Sequence, residues 1–165
     1  MSSKRITVST IGIIPGMKEF LLRSGCHLAI SLHNPFDEER KKMMPIQNVY
    51  PIKDVLDEIR AYPFEPQRRI SFEYIMFKGV NDTPRHIREL THILSGIECR
   101  INLIRFHPIP GTPLEGSDEA TIAHFNLALN QKGIITTTRA SRGLDIYAAC
   151  GMLSTKALVK KDDVD

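Results

Sequence analysis

Cysteine is scarce in this sequence, and the few present do not cluster. Three occur in 165 residues, Cys26, Cys99 and Cys150, an odd number set far apart. No Cys-x-x-Cys or Cys/His spacing suits zinc or an iron–sulfur cluster held by this chain alone, so no metal ligand is expected among its residues. No apolar run is long enough to span a bilayer and the N-terminus shows no signal-peptide pattern, so no membrane is expected as partner and the cytoplasm is the expected compartment. A Gly-rich phosphate loop, a Ser-His-Asp order, a paired-carboxylate signature, internal repeats and low-complexity segments are also missing.

What remains is ordinary globular composition, with 42% hydrophobic and 25% charged residues. The length suits one domain with a sizeable core. The net charge of +3 permits an RNA partner without requiring one.

Along the chain, β-rich runs alternate with helical patterns. Strands are predicted at residues 5–10, 27–31, 69–76, 100–106 and, shorter, 134–138. A helix from Pro15, stopped at Gly25, takes its apolar face from Met17, Phe20, Leu21 and Leu22. Asn34-Pro35 caps a short helix whose acidic Asp37, Glu38 and Glu39 precede its basic Arg40, Lys41 and Lys42, matching the helix dipole. Residues 51–62 form the clearest amphipathic helix, with Ile52, Val55, Leu56 and Ile59 on one face. Thr83-Pro84 opens the next, with Ile87, Leu90 and Leu94 inward. Ser117 is the expected cap of a last helix running to Lys132, with Ile122, Phe125 and Leu129 inward.

This order implies βαβ units and an α/β fold with a parallel sheet. Ligands of such sheets and barrels sit at the carboxyl ends of the strands. The residues facing a ligand would then be Ser9-Thr10, Ser31-Leu32-His33, Met76 to Asn81, and His107 to Gly111. Ser9, Ser31 and His33 either bind that ligand or satisfy nearby backbone and water. His107 opens a loop stiffened by Pro108, Pro110 and Pro113, and is either a contact or a partly exposed ring. Glu73, inside a strand, either points into a barrel or pairs with a cation. Cys150 lies between Ala148-Ala149 and Gly151, downstream of Arg139 and Arg142. It reads either as a reactive thiol beside an anionic substrate or as a small buried hydrophobe.

Four segments stand together in one order: Val8-Ser9-Thr10; Ser31-Leu32-His33; Ile101-Asn102-Leu103-Ile104 with Pro108-x-Pro110-Gly111; and Arg142-Gly-x-Asp145-Ile-x-Ala148-Ala149-Cys150-Gly151. In these the chain, from about Arg5 to Leu153, resembles the C-terminal half of the radical S-adenosylmethionine adenine-C2 methyltransferases of the RlmN family, which modify 23S rRNA and tRNA. The resemblance implies a parallel partial TIM-like barrel, of about four barrel strands plus one extra short strand. Residues 1–155 would form the C-terminal part of the methyltransferase domain, and 156–165 a charged tail.

By the same resemblance, Cys150 matches the cysteine that is first methylated on sulfur and then supplies the carbon to adenine. Ser9, Ser31, Leu32 and His33 match positions that contact S-adenosylmethionine. His107 stands where better-known members carry an asparagine with the same role. The family's four-iron four-sulfur cluster generates the adenosyl radical that removes hydrogen from the S-methyl group. Its Cys-x-x-x-Cys-x-x-Cys segment is absent from this sequence, as are the Gly-Glu pair for the cofactor's amino end and the second catalytic cysteine. The chain alone is therefore expected to be inactive, and to self-associate through a first strand that has lost its neighbour. Alternatives are a relative that methylates adenine at carbon 8, a stand-alone RNA- or nucleotide-binding module, and an unrelated α/β enzyme with Cys150 as nucleophile and His107 or His124 as base.

Overall fold

A computed structural model describes residues 2–108 and 111–139. Within them, five strands form one parallel sheet: β1 (Thr7–Thr10), β2 (His27–Ser31), β3 (Ile70–Met76), β4 (Cys99–Arg105) and β5 (Ile135–Arg139), ordered β1-β2-β3-β4-β5. Each strand pairs with its sequence neighbour, as successive βα units in a barrel do. The linear order leaves β1 and β5 as edges.

Five helices connect or follow the strands: α1 (Ile14–Arg23), α2 (Asp37–Met43), α3 (Ile52–Ala61), α4 (Pro84–Ile93) and α5 (Glu119–Gln131). Alternation along β3 decides the two faces of the sheet. Ile70, Phe72, Tyr74 and Met76 are buried against the helices, while Ser71, Glu73 and Ile75 between them are only partly buried. Leu28, Ile30, Ile101 and Leu103 share the helix-facing side by register. They meet Ile52, Val55, Leu56 and Ile59 of α3, Ile87 and Leu90 of α4, and Ile122, Phe125 and Leu129 of α5 in one core cluster. The Phe125 ring stacks on Tyr74 with centroids 5.6 Å apart.

Several element ends differ from the sequence expectation. β1 begins at Thr7, because Ser3–Arg5 form a 3-10 turn. α1 stops at Arg23, before Gly25, and Leu22 is 77% exposed rather than part of the apolar face. Asn34 does not cap α2. Its Oδ1 accepts the Phe36 amide at 2.9 Å in a turn just before the helix. Asp118, not Ser117, caps α5, accepting the Thr121 amide at 2.7 Å, while Ser117 Oγ donates to Asp82.

Candidate functional site

The parallel sheet brings the carboxyl ends of its strands to one side, so Thr10, Ser31, Met76 and Arg105 mark a single rim. The most constrained part of that rim follows β2. The amides of Leu32 and His33 both donate to the Glu73 carbonyl, at 3.0 and 3.2 Å. His33 has φ 57°, a left-handed backbone unique among the described non-glycine residues. This turn is pinned from below by Arg40, which is fully buried. Its Nε donates to the Leu32 carbonyl at 3.0 Å and a terminal nitrogen to the Ser31 carbonyl at 2.9 Å. Gln47 Oε1 takes another of its N–H groups. Burial lowers the Arg40 pKa to about 10, with Asp37 opposing the shift, so the guanidinium stays charged at neutral pH. Asn81, also fully buried, donates to the carbonyls of His33 and Ile75 at 2.7 and 2.6 Å.

This frame fixes the chemistry of the His33 ring. Its Nδ1 accepts the Ile75 amide at 3.1 Å. Desolvation by burial, with a smaller contribution from Arg40, pushes its pKa down to about 4. The imidazole is therefore neutral near pH 7, with its proton on Nε2. It offers one N–H donor. Leu32 plays a different part: its side chain is wholly buried, and its amide and carbonyl are both engaged within the turn.

The face of the sheet turned away from the helices carries a polar row. Ser31, Glu73, Asn102 and Thr137 are register partners across β2 to β5. Thr137 Oγ1 donates to Asn102 Oδ1 at 2.8 Å, and Asn102 Nδ2 donates to Glu73 Oε1 at 2.9 Å. Glu73 Oε2 is buried and has no hydrogen-bond partner among the described residues. The sequence left Glu73 open between an inward carboxylate and an ion pair; the structure gives it an amide partner, leaving one oxygen to accept a donor. Ser9 lies on the same face, paired in register with Ala29. His107 follows β4 by two residues and is half-buried.

Thus the fold brings Ser31, Leu32, His33 and Glu73 together, with Ser9 on the adjacent strand and His107 beyond the end of β4. Cys150, Arg142 and the 156–165 tail lie outside the described residues. Arg40 and Thr137 had no expected site role in the sequence; Asn81 stood only at the end of the ligand-facing segment Met76 to Asn81, and Asn102 only within the motif Ile101-Asn102-Leu103-Ile104. For Asn102 the signal was present: it sits between Ile101 and Leu103, so strand alternation puts it on the face opposite the core. Cys99 is no candidate nucleophile, since burial raises its thiol pKa to about 12. Among the described residues no group of three or more His, Cys, Asp or Glu is placed to hold a metal ion. No described helix is long and apolar enough to cross a membrane.

No family model matches the sequence. Individual relatives do. The chain is 56% identical over 154 residues to a probable dual-specificity RNA methyltransferase RlmN of Parabacteroides distasonis, covering 93% of this chain and 45% of the relative. A protein of the same description from Porphyromonas gingivalis strain W83 is 59% identical over the same shares. The dual-specificity RNA methyltransferase RlmN of Phenylobacterium zucineum is 44% identical over 158 residues, 41% of its length. The chain thus spans less than half the length of these curated relatives. Among solved structures, a radical SAM methyltransferase from Sphaerobacter thermophilus superposes with TM-score 0.87 at 38% identity, covering 92% of this chain and 45% of that one. A domain of a pyruvate-formate lyase-activating enzyme from Bacteroides vulgatus matches with TM-score 0.63 at 17% identity, over 81% of this chain and 80% of its own, and shows a shared fold.

Proposed function

This chain belongs to the RlmN family of radical S-adenosylmethionine methyltransferases, of which it spans about 45% of the length, and on that premise we propose that it forms the part of an RNA adenine-C2 methyltransferase that receives S-adenosylmethionine and presents Cys150. The observation that carries this reading is the rim after β2. Buried Arg40 and Asn81 spend their hydrogen bonds on holding the turn, so Ser31 and His33 occupy fixed places at the rim.

The donor set fits S-adenosylmethionine. His33 offers a neutral N–H, Ser9 and Ser31 offer hydroxyls, and Glu73 Oε2 is a free acceptor suited to a hydroxyl or ammonium group. In this reading Ser9, Ser31, His33 and His107 contact the cofactor, and Leu32 shapes the turn between two of them. When bound, the cofactor supplies the methyl group. Cys150 would take up that methyl group on sulfur and hold the carbon for transfer to adenine. The Cys-x-x-x-Cys-x-x-Cys segment that holds the family's iron–sulfur cluster is absent from these 165 residues. The substrates in this reading are 23S rRNA and tRNA, and the compartment is the cytoplasm.

The test is made in the organism that encodes the chain. The reading frame is deleted, and nucleosides from 23S rRNA and tRNA are measured by mass spectrometry. The expected result is loss of 2-methyladenosine, reproduced by Cys150→Ala in the intact gene. Undiminished 2-methyladenosine in both strains overturns the reading, and selective loss of 8-methyladenosine reassigns the carbon.

A further inference from the structure

The opposite end of the sheet, where the strands begin, holds a recess that the proposed reaction does not use. It has a volume of about 340 Å³ and lies among the starts of β2, β3 and β4. Its walls contain four cationic side chains, Lys4, Arg68, Arg69 and Arg100, against one carboxylate, Glu98. None of these five groups is in an ion pair among the described residues. An excess of cations gathered around one concavity focuses a positive potential into it.

Two inner donors sharpen the case. Arg68 is held in place: its Nε donates to the Cys26 carbonyl at 3.0 Å and one terminal nitrogen to the Leu21 carbonyl at 2.7 Å. Its other terminal nitrogen is buried without a partner. His27 is 7% exposed and accepts the Arg69 amide on Nδ1 at 3.1 Å. In its neutral form the ring therefore carries its proton on Nε2, and that atom too is buried without a partner. A buried donor left unpaired is costly, and in native proteins it asks for an explanation. Both residues are among those that line the recess, which makes an acceptor entering it a candidate partner for these donors.

We propose that this recess binds a phosphate-class oxyanion, with exposed Arg69 and Arg100 drawing it in and Arg68 and His27 as the inner donors. The donors come from β2, from the approach to β3 and from β4. These are three neighbouring strands, which suits an anion bearing several acceptor oxygens. The anion is either a free phosphate or a phosphodiester of bound RNA. The site is independent of the rim after β2, and failure of S-adenosylmethionine binding there leaves it untouched.

The test uses the 165-residue chain. Inorganic pyrophosphate is titrated against sodium chloride of equal ionic strength and followed by thermal melting. A labelled oligoribonucleotide is followed by fluorescence anisotropy. The double variant Arg69→Ala/Arg100→Ala removes two exposed side chains that make no ion pair, and Lys41→Ala/Lys53→Ala is the charge-matched control. Pyrophosphate should raise the melting temperature beyond the chloride effect, with apparent affinity at least tenfold weaker in the arginine pair and unchanged in the lysine pair. Pyrophosphate binding without RNA binding identifies a free phosphate ligand. RNA binding that pyrophosphate displaces identifies the RNA backbone. No stabilisation beyond chloride, or equal losses in the two double variants, overturns the proposal.

Discussion

At the scale of single residues, His33 shows how the frame sets chemistry. A histidine at φ 57° with a backbone amide on Nδ1 cannot protonate that nitrogen without losing the bond. Burial acts in the same direction, and the folded pKa falls from 6.5 to about 4. Between those values the unfolded chain binds more protons than the folded one. Stability from this group is therefore fully present above pH 6.5 and is lost as pH falls towards 4. The upper bound is about 3 kcal/mol. Burial pushes the Glu39 carboxyl up, but hydrogen bonds with Arg85, His86 and Asn34 together outweigh it and lower its pKa from 4.5 to about 2. Its stabilisation is lost only as pH falls through that lower window, so the two are separable. Urea denaturation at pH 7 and pH 5 should show a loss for the native chain and a smaller one for His33→Asn, since asparagine tolerates the left-handed backbone without titrating. Equal losses in both proteins would remove His33 from the account.

At the scale of elements, helix ends respond to local competition that periodicity does not describe. Ser117 and Asp118 are both good caps by type. Asp82, 35 residues upstream of Ser117, takes the serine hydroxyl at 2.8 Å, which leaves Asp118 to cap α5. Asp118→Ala should therefore lower the melting temperature more than Ser117→Ala; the reverse order would show that the contact to Asp82 matters more than the cap. Interior patterns were legible for the opposite reason. β2 has the bounds its sequence suggested, and the apolar face of α3 is the one its spacing predicted, because burial against a sheet is what such spacing records. Glu73 and Asn102 were harder to read together. Their 2.9 Å contact joins residues 29 apart and depends on the register of β3 with β4. Arg40 looked like a charge at the basic end of a short helix, yet it is buried beneath the rim. Only the packing of α2 under the β2 turn turns that surface pattern into a structural cation.

At the scale of the molecule, the sheet does not close within the described residues. β1 pairs only with β2, so its other side presents N–H and C=O groups without strand partners. Closed barrels have no such edges. The strand is less apolar than its predicted span, since three of its four residues carry hydroxyls. Apolar surface nevertheless collects around it: Val8 is 38% exposed, and Ile11 and Ile13 just beyond it are each 44% exposed. A second copy of the chain offers the same edge, and pairing would satisfy the backbone while covering these side chains. Self-association through β1 is thus the expected behaviour of the isolated chain. In sedimentation equilibrium the weight-average mass should rise with concentration for the native sequence. It should stay at the monomer value for Val8→Lys, because a lysine on an edge strand disfavours pairing with another chain. A native chain that remains monomeric across the series removes the prediction. Association that survives Val8→Lys moves it to the other edge, β5, where Ile135 is 51% exposed.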